Sequence, residues 1–131
     1  MADMSTRETQ GDTADAASVA PGALLLDDNL MSATRLRAQL ARGGYAVQTA
    51  RQVPDAAAPN ATAPKLVVIN LGSRGLNGSE LIGVCRERFP GSRVVGFCGH
   101  LETEIRRAAR AAGIDKILTN EQAFTDLLNS L

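Results

Sequence analysis

Two short apolar runs in this chain end abruptly in polar residues, and no other feature limits its possible folds as much. The run 24–26, three leucines, leads into Asp27 and Asp28, and the run 66–69 leads into Asn70. Apolar runs without polar alternation are typical of strands covered on both faces in a parallel sheet. The carboxyl ends of such strands meet at one edge, where α/β proteins place their ligand sites. The sequence therefore predicts a parallel α/β sheet with these polar side chains close together at one edge.

Size and charge narrow the class of protein. With 131 residues the chain can form one domain with a three-layer core. Fourteen basic and fourteen acidic side chains cancel, so no net field attracts nucleic acid or an anionic membrane. The longest apolar runs have about four to six residues, well below the roughly 20 that a membrane span needs. We expect a protein without a nucleic-acid or membrane partner.

The termini and cysteines indicate where the protein works. Residues 1–21 are polar, lack an apolar core segment and end at a Pro-Gly pair, which predicts a disordered tail rather than a secretory signal. The domain is then expected over residues 22–131. Cys85 and Cys98 are too few for a disulfide framework. Free thiols and a cytoplasmic location are the expectation.

Strand-like and helix-like segments alternate along the domain. Strands are predicted at 23–26, 45–49, 65–69, 93–97 and 114–118, and helices after Asn29 and at 79–88, 101–112 and 121–131. The first helix carries a stripe of Leu30, Ala33, Leu36, Leu40 and Ala41 and ends at Gly43-Gly44. The last carries Phe124, Leu127, Leu128 and Leu131 at helical spacing. Such alternation predicts right-handed βαβ units.

The connection from residue 51 to 64 is the least regular part of the domain. Three alanines at 56–58 are compatible with one or two helical turns. Three prolines, Pro54, Pro59 and Pro64, interrupt any longer helix. We expect a short second helix at most.

The spacing of three motifs resembles the CheY-like receiver domain of two-component response regulators over residues 22–131. The motifs are the Asp27-Asp28-Asn29 triplet, the loop 70–78 with its final glycine, and the turn Ala111-Ala112-Gly113. The resemblance implies a flavodoxin-like (βα)₅ three-layer sandwich, with a parallel sheet in the order 2-1-3-4-5 and the third strand at the centre.

The resemblance also implies which positions carry the chemistry. In that family the acidic pair helps to bind Mg²⁺, and an Asp ending the third strand accepts phosphate from a histidine kinase. A Ser or Thr ends the fourth strand, an aromatic residue lies in the fifth, and a Lys ends the fifth. Asn70 lies at the acceptor position, Cys98 at the Ser/Thr position, Ile117 at the aromatic switch position and Asn120 at the Lys position, with Glu121 where a Pro usually follows.

These departures remove the expected phosphorylation chemistry. The amide of Asn70 cannot form an acyl phosphate, because that step needs a carboxylate nucleophile. Without the acceptor charge a buried Lys would be uncompensated, so Asn120 is consistent with Asn70. Cys98 is a poor hydrogen-bond donor for a phosphate. We expect a pseudo-receiver with a degenerate pocket that is not an enzyme and is not regulated by aspartyl phosphorylation.

Each remaining polar residue also has a simpler interpretation. Asp27 and Asp28 make a weak Mg²⁺ site at best, since two carboxylates are few for a hard cation; helix electrostatics or solvation explains them equally well. Cys98 is expected to be small and partly buried, because no basic neighbour that would make it reactive is evident. His100 is expected to be exposed, although a Cys98–His100 couple is conceivable.

The leading functional hypothesis is a protein-interaction module in a signalling pathway. The resemblance implies contacts through the fourth helix (101–112), the fifth strand and the fifth helix (121–131), with a homodimer as the favoured form. The candidate contacts are Arg106, Arg107, Arg110, Asp115 and Lys116. A solvated helix face with a Glu102–Arg106 pair accounts for the arginines equally well.

Two alternatives remain open at this point. One is a phosphoacceptor or Mg²⁺-dependent switch that uses another residue, such as Ser73. The other is a ligand sensor that uses the pocket vacated by the phosphate.

Overall fold

A computed structural model describes residues 20–55 and 62–131. The strands are β1 (Gly22–Leu26), β2 (Ala46–Ala50), β3 (Leu66–Asn70), β4 (Arg93–Cys98) and β5 (Lys116–Thr119). The helices are α1 (Leu30–Arg42), α2 (Gly78–Arg88), α3 (Thr103–Ala111) and α4 (Asn120–Ser130). Apart from residues 20 and 21, the expected tail lies outside the described residues, as do the helical turns expected at 56–58. The predicted fourth and fifth helices are therefore α3 and α4.

The five strands form one parallel sheet in the order β2-β1-β3-β4-β5. The central strand is β3, whose four apolar residues, 66–69, are all buried. A continuous apolar run suits this position because helices cover both faces of the sheet. The predicted flavodoxin-like sandwich and its strand order are confirmed.

The helices lie in two layers. Buried residues of α1 and α4 pack with Leu25, Val68 and Phe97 on one face of the sheet. Buried residues of α2 and α3 pack with Val67 and Ile69 on the opposite face. Alternate residues of each strand therefore supply the two halves of the core, as the pleat requires.

Helix boundaries and caps follow local sequence signals. The side chain of Asn29 accepts a hydrogen bond from the Ser32 N–H and caps α1, as expected. The turns after α1 and α3 contain Gly44 and Gly113, with φ of 92° and 95°. This left-handed backbone favours glycine, which explains why both helices end there.

Three apolar residues predicted to face the core, Leu30, Ala41 and Leu128, are exposed instead. Leu30 is 80% exposed because it begins α1 at the edge of the sheet, before the helix lies over the strands. Leu128 is 37% exposed because α4 bends at Asp126. Ile82 is fully buried in α2, although the sequence pattern did not single it out.

A buried glutamine explains the bend in α4. The backbone at Asp126 is non-helical, with φ −152° and ψ 51°. Gln39 of α1 donates to the Ala123 carbonyl at 2.8 Å and accepts from the Leu127 N–H at 2.9 Å. In a regular helix these two backbone groups would bond to each other. The side-chain amide is inserted into the helical ladder, a recognised cause of kinks, and it joins α1 to α4.

Candidate functional site

The carboxyl ends of β1 and β3 bring the predicted polar residues together. Leu26 pairs with Ile69 across the two strands, so the residues that follow them lie side by side. Asn70 Nδ2 donates to Asp27 Oδ1 at 3.0 Å. The expected proximity of these two side chains is confirmed.

Asp27 is enclosed and uses both carboxylate oxygens within the protein. Its residue surface is 4% exposed. Oδ1 accepts from the Asn29 N–H at 3.0 Å as well as from Asn70. Oδ2 accepts from the hydroxyl of Ser32 at 2.5 Å. These three donors compensate the buried charge without a cation. They come from the loop after β1, from α1 and from β3.

The amide of Asn70 is also satisfied at both ends. Its Nδ2 faces Asp27, and its Oδ1 accepts from the Gly72 N–H at 3.1 Å. Only one orientation of the amide fits these partners, because a carboxylate oxygen needs a donor and an N–H needs an acceptor. Asn70 is thus a structural hydrogen-bonding residue at the position where the resemblance places a nucleophile.

Asp28 points to the loop that follows β3. Its Oδ1 accepts from the hydroxyl of Ser73 at 2.5 Å. Ser73 Oγ in turn accepts from the Gly75 N–H at 3.2 Å. The two aspartates therefore have separate partners, and Asp28 ties the start of α1 to the loop.

Several oxygen atoms at the expected Mg²⁺ position already accept hydrogen bonds from the protein. A hard cation such as Mg²⁺ takes oxygen ligands, and the expected weakness of a site here stays a prediction. Both oxygens of Asp27 and the carbonyl oxygen of Asn70 already accept hydrogen bonds from the protein. Within residues 20–55 and 62–131, no group of three or more His, Cys, Asp or Glu side chains is placed to hold a metal ion.

Cys98 ends β4 and is fully buried. Burial raises the pKa of its thiol, although Arg106, whose Nη1 lies 4.0 Å from Sγ, acts in the opposite direction. The expectation that no basic residue lies near Cys98 is therefore wrong, since one turn of α3 brings Arg106 back over the strand end. The neutral thiol still prevails because burial is the larger effect.

Asn120 and Ile117 are the two remaining positions that the resemblance assigned to the pocket and its switch. A cavity of about 350 Å³ is lined by Asn29, Met31, Ser32, Arg35, Asn70, Gly72, Phe97, Glu102, Asn120 and Phe124. Asn120 begins α4 there and carries no charge. Ile117 is partly buried against the α2 and α3 side of the core. It therefore serves as a packing residue at the switch position.

One residue at this edge was not identified from the sequence. Glu102 Oε2 accepts from the Gly99 N–H at 2.8 Å. The Glu102–Arg106 ion pair considered above is absent from the described part of the chain, because the carboxylate turns back toward the strand end. The sequence signal that could have predicted this contact is an acidic residue three positions after a glycine at the end of a strand.

The expected partner face is more basic than the sequence suggested. Asp115 forms an ion pair with Arg86 at 2.8 Å and accepts from the Val94 N–H at 2.8 Å. Burial would raise the pKa of Asp115, but these two hydrogen bonds and the charge of Arg86 lower it overall. This carboxylate is thus paired within the chain, and its role as a contact for a second copy stays a prediction.

The arginines of α3 lie around a shallow surface cavity. It measures about 310 Å³ and is lined by His100, Thr103, Arg106, Arg107 and Arg110. Arg107 pairs with Glu104 on the surface of the helix. His100 is exposed, as expected. Lys116 is exposed at the start of β5.

No helix in the described ranges has both the length and the apolar character required to cross a bilayer.

Comparison with solved structures shows the fold of this chain. The chemotaxis response regulator CheY4 of Vibrio cholerae is 17% identical, with a TM-score of 0.65 over 86% of this chain and 100% of that one. A response regulator from Burkholderia pseudomallei with a phosphorylated aspartic acid is 23% identical, with a TM-score of 0.65 over 81% of this chain and 67% of that one.

A third neighbour is the receiver domain of NtrX from Brucella abortus. It is 25% identical, with a TM-score of 0.61 over 75% of this chain and 84% of that one. No protein-family model matches the chain, and no curated relative matches its sequence. The chain therefore has the fold of CheY-like response-regulator receiver domains.

Proposed function

We propose that this protein is a pseudo-receiver of a cytoplasmic signalling pathway, which acts as a protein-interaction module without aspartyl phosphorylation. The hydrogen bond from Asn70 Nδ2 to Asp27 Oδ1 carries the proposal. It supports the proposal because the amide that stands where the resemblance puts the acceptor donates to the neighbouring carboxylate. The same contact supports a protein that is not an enzyme and needs no cofactor.

Two further residues support the absence of a phosphoryl site. Asn120 supplies no positive charge to the cavity, and the buried neutral thiol of Cys98 is a poor donor. Phosphoryl transfer depends on preorganised charge around the transferring group. Asn70, Asn120 and Cys98 provide none of it at the three positions where the resemblance puts the nucleophile, the cation and the hydroxyl.

The interaction face is proposed to be α3, β5 and α4. On α3, Arg106, Arg107 and Arg110 surround a cavity that opens to solvent. Because Arg86 already pairs with Oδ2 of Asp115, a pairing of Arg110 with Asp115 across a two-fold axis would share that carboxylate or compete for it. A homodimer is retained as one form of the proposal, and an acidic protein partner fits the charge of this face.

Intact-mass analysis after incubation with acetyl phosphate and Mg²⁺ tests the absence of phosphorylation. We expect no added phosphoryl mass on the wild-type chain. A stoichiometric mass increase would contradict the proposal. A Ser73→Ala variant, run in parallel, tests whether Ser73 is an alternative phosphate acceptor. The Ser73 hydroxyl is the candidate because it donates to the Asp28 carboxylate.

Sedimentation at micromolar concentration tests the interaction face. Arg110→Glu should abolish any self-association of the wild type, whereas Arg37→Glu on α1, on the opposite face of the sheet, should not. Two monomeric variants beside a monomeric wild type would remove the homodimer and leave a heterologous partner. A change in oligomeric state on adding acetyl phosphate would contradict a constitutive output.

A further inference from the structure

The carboxylate of Glu102 does not cap the helix that it precedes. Glu102 is the N-cap residue of α3, yet its side chain accepts no hydrogen bond from that helix. Asp, Asn, Ser and Thr side chains at this position normally accept from the first free N–H groups of the helix. Here Oε2 accepts from the Gly99 N–H at the end of β4 instead. Helix α3 therefore lacks the stabilisation that a side-chain cap supplies.

Two glycines make room for this carboxylate. A Cβ added at Gly72 would lie 3.3 Å from Glu102 Oε2, and one added at Gly99 would lie 3.2 Å from the same oxygen. Both distances are shorter than ordinary van der Waals contact, so a side chain at either position would press on the oxygen. We call Gly72 and Gly99 the glycine cradle. It sits where the loops after β3 and β4 approach each other, beside Asn70 and Cys98.

The glycine cradle has the features of an oxyanion position. Backbone N–H groups in a concave loop attract anions without a charged side chain. The Gly99 N–H faces Glu102, while the Gly72 N–H is bound by Asn70 Oδ1. Both donors are thus used by oxygen atoms of this chain, and one of those atoms carries a negative charge.

We propose that Glu102 is a built-in anionic ligand, which occupies the position that a tetrahedral oxyanion from solution would otherwise take. This inference rests on the function proposed above and explains how the protein keeps one state without a phosphoryl group. Because α3 begins at the next residue, anchoring Glu102 to β4 also fixes the start of the helix that carries Arg106, Arg107 and Arg110.

Nuclear magnetic resonance of the isotope-labelled full chain, titrated with inorganic phosphate at constant ionic strength, tests this inference. In the wild type the Gly72 and Gly99 amide signals should not shift. In Glu102→Ala both signals should shift until phosphate saturates the site. The affinity for phosphate should be at least about tenfold higher than the highest value compatible with the wild-type data, because the carboxylate that competes for the Gly99 N–H is gone. Glu104→Ala is the matched control, since Glu104 lies on the same helix and pairs with Arg107.

Two further variants separate the effect of the Glu102 charge from the effect of the length of its side chain. Glu102→Asp keeps the charge but is one methylene shorter, so it should release the Gly99 N–H and speed its hydrogen exchange. Glu102→Gln keeps an acceptor for that N–H, so exchange should stay slow while the charge that repels phosphate is lost. These variants also replace Glu102→Ala if that protein fails to fold.

Two results would overturn the inference. One is an equal phosphate response in the wild type and in folded Glu102→Ala, and the other is no response in any folded Glu102 variant. Neither bears on the function proposed above, which fails only if the wild type is covalently phosphorylated or changes its assembly. The two failures are therefore distinguishable.

Discussion

Asn70 donates a hydrogen bond from Nδ2 to Oδ1 of Asp27 at 3.0 Å. This contact replaces the repulsion that two carboxylates would have at the same separation. Asp27 can therefore remain buried with its charge compensated by protein donors alone. At the edge of the sheet where α/β proteins bind ligands, the side chains of Asp27 and Asn70 are therefore hydrogen-bonded to the chain itself.

Asn70→Asp should lower stability without restoring phosphorylation. The substitution removes a donor and puts two carboxylates about 3 Å apart, which should reduce the free energy of unfolding by about 1–3 kcal/mol in the absence of metal. Mg²⁺ should recover part of this loss. Denaturant melts with and without Mg²⁺ measure both effects. Asn70→Ala is the control, because it removes the hydrogen bonds without adding charge and its loss should not depend on Mg²⁺.

Phosphorylation of Asn70→Asp also tests how much Asn120 and Cys98 matter in the pocket. Acetyl phosphate should label Asn70→Asp slowly and incompletely, since Asn120 and Cys98 still provide neither cation nor hydroxyl donor. Rapid, stoichiometric labelling would show that those residues matter less than the acceptor.

Asp115→Asn should reduce stability in a pH-dependent way. Although burial acts to raise it, the pKa of Asp115 is lowered overall by the Val94 N–H and by Arg86, so its ionised form stabilises the folded state above its unfolded pKa. That contribution is lost as the pH falls through the lowered folded value. At pH 7 we expect a loss of about 1 kcal/mol, discounted because the side chain is partly exposed.

The pH profile of urea unfolding checks this prediction. The difference between Asp115→Asn and the wild type should shrink as the solution is acidified. Glu87→Gln, which removes an exposed negative charge from α2, should show no comparable profile. A difference that stays constant with pH would contradict the assignment.

Both thiols should be unreactive in the folded protein. Burial raises the pKa of Cys85 to about 11 despite the nearby arginines, and burial also raises the pKa of Cys98. Only the thiolate reacts readily, so alkylation at pH 8 should be slow in buffer and complete in urea. Mass spectrometry of the alkylated chain assigns each site. Fast labelling of Cys98 alone would mean that Arg106 stabilises a thiolate there.

Gln39→Leu should destabilise the protein more than its apolar character suggests. Leucine leaves the Ala123 carbonyl and the Leu127 N–H without the partners that bridge the bend. We expect a loss of about 2–3 kcal/mol, the cost of buried unsatisfied groups, in thermal or urea unfolding. Gln48→Leu, on exposed β2, should change stability little. An unchanged Gln39→Leu would indicate that α4 straightens and restores its own hydrogen bond.

Much of the fold was predictable because its signals are local. Apolar runs mark the buried strands, Asn29 marks the start of α1, and the left-handed turn at Gly113 follows α3. Parallel pairing then follows from the length of each connection. The closeness of Asp27 and Asn70 was likewise predictable, since neighbouring parallel strands end at the same edge.

The choice of partner for each polar side chain was not predictable in the same way. Periodicity paired Glu102 with Arg106, but packing of α3 against β4 brings the Glu102 carboxylate to the Gly99 N–H. Asp115 pairs with Arg86 of α2, a partner that the sequence pattern did not indicate. Both outcomes depend on the relative positions of elements that are distant along the chain.

The sequence by itself determined the order of the described elements, the edge that holds the polar residues and the presence of an uncharged amide at position 70. Only the tertiary structure decided that Gln39 enters the ladder of α4, that Arg106 reaches Cys98 and that Glu102 rests in the glycine cradle. The physical reason is that strand and helix formation depend on neighbouring residues, whereas a buried polar group takes whichever partner packing brings within hydrogen-bonding distance.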